Sequence, residues 1–217
     1  MKVNESGRSM IEMLGVLAII GVLSVGGIAG YSKAMSKYRV NKTVDQISHI
    51  AANTRILFSA QKDYGDLADG SQAAIITKTK LFPDELGYNE GTKKGTNAFG
   101  GEITIAPSGR FHAHTAQNPD QKAFVITYTK IPQEACIDLL TIDWGTGTAG
   151  GIISLGTDDA NTGVAGQYSG KTDNTNNCTD KVDDTSKKAV ACGAMSVDAA
   201  VTACSDINEN TLLFKFY

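Results

Sequence analysis

The hydrophobic pattern of this chain changes twice. From Met10 to Tyr31 almost every position is apolar, and Glu12 is the single formally charged side chain. As a helix, these 22 positions are long enough to span a bilayer core of about 30 Å. Beyond them the apolar residues thin to a stripe. Tyr31, Ala34/Met35, Tyr38, Val44, Ile47, Ile50/Ala51, Thr54 and Leu57/Phe58 recur every three or four positions, with Lys33, Lys37, Arg39, Lys42, Asp45 and Arg55 largely between them. That spacing marks one face of a helix. With no proline before Pro83, the pattern predicts one continuous helix to about Lys62. At 1.5 Å per residue, about 55 residues make it roughly 80 Å long. Half of it is apolar all round, and the other half needs a partner along one face.

After Tyr64-Gly65-Asp66 the helical pattern breaks. Residues 71–82 predict a short helix ended by Phe82-Pro83, and a polar loop runs to Gly101. Strand signals follow at Glu102–Ala106 and at Ala123–Lys130, the second as alternating "AFVITYTK". In "PQEACIDLLTI" (132–142) a Pro stands at a helix start before an apolar face. From Asp143 to Lys188, Gly, Thr, Asn and Asp dominate, leaving room for short strands near 151–155 and 163–168. A short helix around 196–204 and a last strand, "TLLFKFY" (211–217), complete the pattern. The expected fold is α+β: an antiparallel sheet whose apolar face covers the stripe on the long helix. There is no internal repeat.

Composition narrows the setting. The 217 residues suffice for one ordinary core plus a membrane element, and 20 Lys+Arg against 23 Asp+Glu argue against a dedicated nucleic-acid binder. Only Met1 to Ser9 precede the apolar run, with Lys2 and Arg8 as their basic residues. The run differs from a secretory signal because its basic region is so short and no A-x-A site follows. Positive charge on that short flank favours N-terminus in, placing residues 32–217 outside the cytoplasm. Cys136, Cys178, Cys192 and Cys204 all lie beyond the span, with no C-x-x-C pair among them and no His at zinc-finger distance. They read as two disulfides of an oxidising compartment.

Several tempting motifs fail on context. "GTGTAG" (145–150) has the letters of a dinucleotide loop but follows no buried strand and opens no helix, and "GQYSGKT" (166–172) is one residue short of a phosphate loop. His112 and His114 share a strand face without a third metal ligand. Asp158, Asp159 and Asn161 lack the closing Glu of an EF-hand loop. No Ser/His/Asp or Cys/His set stands at motif spacing. We expect no catalytic residue, no metal and no cofactor.

The N-terminal residues resemble the type IV pilins. A short basic leader ends in Gly7, and Glu12 is the fifth residue after it, at the head of a long apolar helix that also carries Gly21. "NAFGGEITI" (97–105), "PQEAC" (132–136), Cys204 and the final strand resemble the large type IVb and conjugative pilins. Arg8 departs from the apolar first residue usual in the family, and Ala29 stands where many type IVa pilins have a proline. The resemblance implies a structural subunit that polymerises through its N-terminal helix into a surface filament, or, as the alternative, a pseudopilin or minor pilin of a secretion or DNA-uptake machine. It implies four parts: leader 1–7, transmembrane and filament-core helix 8–31, amphipathic half 32–62, and globular head 63–217. Its partners would be further copies of the chain, a prepilin peptidase that cuts after Gly7 and methylates Arg8, the inner-membrane assembly machinery, and minor pilins. The subunit would wait in the inner membrane and then leave in the pilus. Such fibres serve adhesion, twitching motility, conjugation or DNA uptake. Within the resemblance, Cys136 pairs with Cys204 and Cys178 with Cys192.

The resemblance also gives Glu12 a purpose. An ionised carboxyl in hydrocarbon costs roughly 2.5–3.5 kcal/mol on insertion scales. Only about 6 Å along the helix from Arg8, it can still reach the membrane interface. In a packed filament it would need a positive partner, which the α-amine freed on a neighbouring subunit can supply. Such a pairing fixes axial register more than it adds stability. The simpler alternative is an Arg8–Glu12 pair at i,i+4 within one chain.

Overall fold

The computed structural model describes residues 6–61, 63–68, 70–108, 121–145, 151–158, 181–183, 188–204, 207 and 209–217. Helix α1 (Ser6–Phe58) is uninterrupted for 53 residues, ending four positions before the Lys62 expected from the pattern. The chain divides into two compact units, Met1–Arg39 and Val40–Tyr217. The first unit is helix throughout its described length. The second contains the rest of α1 and everything that packs on it.

The buried face of α1 in this second unit is Val40, Thr43, Gln46, Ile47, Ile50, Ala51, Thr54 and Phe58. Their spacing of three and four residues is the helical period, so one stripe runs straight along the helix. Thr54 can sit in it because its hydroxyl donates to the Ile50 carbonyl at 2.7 Å. The stripe expected from sequence continued through Tyr38, Ala34 and Tyr31, but these are exposed, as is Leu57. Tyr38 lies nine residues before Ile47, about half a turn out of phase. Val40 and Thr43 carry the true face backward.

Seven strands form one antiparallel sheet: β1 (Gly95–Thr96), β2 (Glu102–Ser108), β3 (Ala123–Ile131), β4 (Ile152–Asp158), β5 (Lys181–Asp183), β6 (Lys188–Ala191) and β7 (Asn210–Phe216). Their order is β1-β2-β3-β7-β4-β6-β5. The chain's last strand therefore lies in the middle, paired to β3 on one side and β4 on the other. Ile103, Ile105, Phe124, Ile126, Tyr128, Leu212, Phe214 and Phe216 meet the α1 stripe in a single core. Tyr64 closes its edge, with its ring 5.3 Å from Phe58 and 4.8 Å from Phe124. Tyr128 is wholly buried with its hydroxyl unpaired, and burial pushes that phenol well above its ordinary range.

Three short helices follow α1: α2 (Gln72–Thr79), α3 (Gln133–Thr141) and α4 (Val197–Ala203). They fall where the sequence places helices. The strands expected at 102–106, 123–130, 151–155 and 211–217 are β2, β3, β4 and β7, while the segment 163–168 lies outside the described residues. The pattern missed β1, β5 and β6, whose two, three and four residues are too short to show alternation.

The "NAFGG" segment is a turn built around Asn97. Its side-chain carbonyl accepts from the Phe99 and Gly101 amides, both at 2.9 Å, and its amide donates to the Thr129 carbonyl at 2.8 Å. A side chain at Gly101 would overlap that Thr129 carbonyl, so only glycine lets β2 begin this close to β3. Gly100 has φ of +83°, a left-handed conformation natural to glycine.

A polar clamp holds the connection after α2 against α1. Gln46 donates to Glu85 at 2.9 Å, and Lys42 pairs with the other carboxylate oxygen at 3.0 Å. The Gln46 amide first, then the Lys42 ammonium, hold the Glu85 carboxyl below its ordinary range. The folded chain thus binds this proton less readily than the unfolded chain. The stabilisation is present above the ordinary glutamate value of about 4.3 and is lost as pH falls through the lower folded value. Glu85→Gln is expected to remove that share of acid sensitivity, by less than about 1 kcal/mol because the pair is half-exposed. Urea midpoints at neutral and acid pH check this. An unchanged acid dependence would show that the clamp contributes nothing.

Candidate functional site

Gly7, Arg8, Glu12 and Gly21 all fall on α1. From Met10 to Ala34 every residue is exposed. The large apolar side chains from Met10 to Ile28 range from 52% exposed at Val16 and Ile20 to 76% at Val22. Burying a side chain of this size is worth about 1.5–3 kcal/mol. A dozen of them left in water would cost on the order of 20 kcal/mol, more than the 5–15 kcal/mol that typically holds a domain together. This surface therefore requires an apolar environment from outside the chain. By length and composition, α1 can cross a membrane.

Glu12 is exposed within this surface. Gly15, Gly21, Gly26, Gly27 and Gly30 share one property: a Cβ added at any of them would meet nothing within 4 Å. No packing within the chain demands glycine there, although each costs helix stability of up to about 1 kcal/mol relative to alanine. The Ser24 hydroxyl donates to the Ile20 carbonyl at 2.7 Å, so the segment's hydroxyl is satisfied without leaving the helix.

The second feature lies at the far end of the chain. Cys136 on α3 and Cys204 after α4 are joined by a disulfide with their Cα atoms 5.9 Å apart, and both residues are fully buried. Around it, Gln133 donates from its side chain to the Cys204 carbonyl at 2.8 Å and from its backbone to Ile207 at 3.0 Å. The bond and these contacts fix the stretch leading into β7. Cys192 is also disulfide-bonded, while Cys178 lies outside the described residues.

The chain terminus is gripped by α1. Arg55 lies 5.4 Å from the Phe216 ring centroid and donates to the Tyr217 carbonyl at 3.2 Å, and burial lowers its guanidinium pKa. A side chain at Gly151, whose φ is +69°, would strike the Arg55 guanidinium. No sequence spacing announced this contact, because Arg55 and Tyr217 are 162 residues apart.

Among the described residues no group of three His, Cys, Asp or Glu side chains could hold a metal ion. His112, His114, Asp159 and Asn161 and the segments 146–150 and 166–172 lie outside the described residues. Asp158 closes β4.

A long helix with its N-terminal part exposed, a sheet laid over its second half, and a disulfide-tied C-terminal region define a type IV pilin. The solved structure of TcpA, a type IV pilin from Vibrio cholerae El Tor biotype, has this fold. It aligns over 83% of this chain and 99% of its own, with a TM-score of 0.51 at 15% identity. A family model described as PilS N terminal matches residues 37–216, and the chain belongs to that family. Two curated relatives are each named major structural subunit of bundle-forming pilus, from Escherichia coli O127:H6 and O111:H-. Each is 28% identical over 147 residues, covering 67% of this chain and 69% of its own. They are structural subunits rather than enzymes.

Proposed function

We propose that this chain is a structural subunit of a type IV pilus, polymerising through residues 8–31 into a helical filament sheathed by its heads. The observation that carries the reading is the exposed apolar stretch of α1 on a pilin head. Before assembly, the same stretch holds the subunit in the inner membrane, N-terminus in the cytoplasm and head in the periplasm. A prepilin peptidase cuts after Gly7 and methylates Arg8. Glu12 then meets the α-amine of a neighbouring subunit, and Gly21 allows close approach of helices. The inner-membrane assembly machinery adds subunits, with minor pilins as further partners. Cys178 pairs with Cys192, a small loop within the larger Cys136–Cys204 one.

Intact-mass measurement of sheared fibres tests the processing. The expected subunit lacks "MKVNESG", begins at Arg8 and carries one added methyl group. A mature chain still starting at Met1, or cut beyond Glu12, would overturn the assignment. Peptide mapping without reduction should recover Cys178 joined to Cys192.

A further inference from the structure

Immediately beyond the apolar stretch, α1 changes character without a break. Between Glu12 and Asp45 there is no acidic residue, while Lys33, Lys37, Arg39 and Lys42 follow one another within ten positions. Lys42 is committed to Glu85 in the head. Lys33, Lys37 and Arg39 are exposed, and so are Tyr31 (67%) and Tyr38 (59%). We infer that Tyr31, Lys33, Lys37, Tyr38 and Arg39 form a collar that binds anionic phospholipid headgroups where the helix leaves the membrane. The inference rests on the membrane-held state proposed above.

Three observations carry it. The first is depth. The headgroup layer is about 5–8 Å thick on each side of the hydrocarbon core, and Lys33 and Lys37 stand about 3 and 9 Å past Tyr31. Helical side chains lean toward the N-terminus, here toward the membrane, so the longer reach to Arg39 is shortened by its own side chain. The second is direction. At about 100° per residue, Tyr31 and Tyr38 nearly coincide on one side, Lys33 and Lys37 lie on the other, and Arg39 falls between. A contact with one protein partner would gather the cations on one face. A ring of cations and amphipathic aromatics suits a planar layer that surrounds the helix, where tyrosines concentrate and lysines snorkel. The third is cost. Lys2 and Arg8 favour N-terminus in, yet in that orientation the cations beyond the span, which outnumber them, are carried across the membrane. Anionic headgroups on the far side offset that cost.

A cation near an anionic lipid surface strengthens attachment about fivefold, so three together reach roughly a hundredfold. The test uses the full chain reconstituted into vesicles of phosphatidylcholine alone or mixed with phosphatidylglycerol. Flotation reports insertion, and native mass spectrometry after mild extraction reports which lipid is retained. Wild type should float with both vesicles and retain phosphatidylglycerol at least tenfold over phosphatidylcholine, a preference that added salt weakens. Lys33→Gln/Lys37→Gln/Arg39→Gln should still float but lose the preference. Lys33→Arg/Lys37→Arg/Arg39→Lys should keep it, which separates charge from folding. Equal retention by wild type and the neutralised chain overturns the collar and leaves the membrane reading intact. A wild-type chain that floats with neither vesicle overturns both. A neutralised chain that keeps the lipid preference yet gives no fibres in cells would assign the cations to a protein contact, and the collar would be wrong.

Discussion

Glu12→Val is expected to leave processed, membrane-held subunit at its normal amount and to cut surface fibre more than a hundredfold. The membrane step should not suffer, since an apolar residue costs less there than a carboxylate. Leader cleavage should also persist if it depends on Gly7, seven residues into the chain. Assembly is different. In a dry filament core the incoming α-amine would lose its partner, and stripping one member from a buried pair costs about 3–5 kcal/mol. At about 1.4 kcal/mol per factor of ten, subunit addition would fall by two to three orders of magnitude. Glu12→Gln keeps the shape and hydrogen bonding but not the charge, so it should fail for the same reason. The measurement is the ratio of processed membrane subunit to sheared fibre. Normal fibres from Glu12→Val cells would refute the intersubunit pairing and favour an Arg8–Glu12 contact within one chain.

Losing the Cys136–Cys204 bond should be the most damaging change to the head. The bond closes a loop with a sequence separation of 68 residues. On the chain-entropy account, a loop of that size is worth about 4 kcal/mol, a large share of the 5–15 kcal/mol of an ordinary domain. Cys136→Ser/Cys204→Ser avoids a stray thiol and should lower the urea midpoint sharply, with the subunit degraded before it assembles. The bond also holds the approach to β7, so the sheet's middle should loosen first. A midpoint unmoved by the double change would mean that the reduced chain already keeps those ends together.

The glycine, the carboxylate and the apolar run lie within one short stretch of sequence, so Gly7 and Glu12 are proposed from that stretch alone, and the structure adds that both lie on α1. The helices α2, α3 and α4 and the longer strands were legible because each carries its own period, cap or proline. What could not be read were contacts made by distant residues with no shared period. The clamp of Lys42 and Gln46 on Glu85 is one case, and the grip of Arg55 on Tyr217 is another. The α1 stripe differs from the pattern at its start because Tyr38 follows Tyr31 and Ala34/Met35 at helical spacing, while the covered face begins at Val40. "NAFGG" was noticed as a motif, but its reason, the Thr129 carbonyl lying against Gly101, required β3 to be in place.

The position of β7 bears on how the molecule is made. The strands β1–β3 and β4–β6 pair among themselves, and among the described residues the two groups join in the sheet through residues 210–216. Synthesis from N- to C-terminus delivers those residues after the other six strands. Until they arrive, neither half-sheet can join the other through β7. The same delay leaves the edges of β3 and β4 open, which is when a sheet is most prone to stick to its neighbours. A chain arrested just short of Asn210 should therefore be recovered as aggregate rather than as subunit.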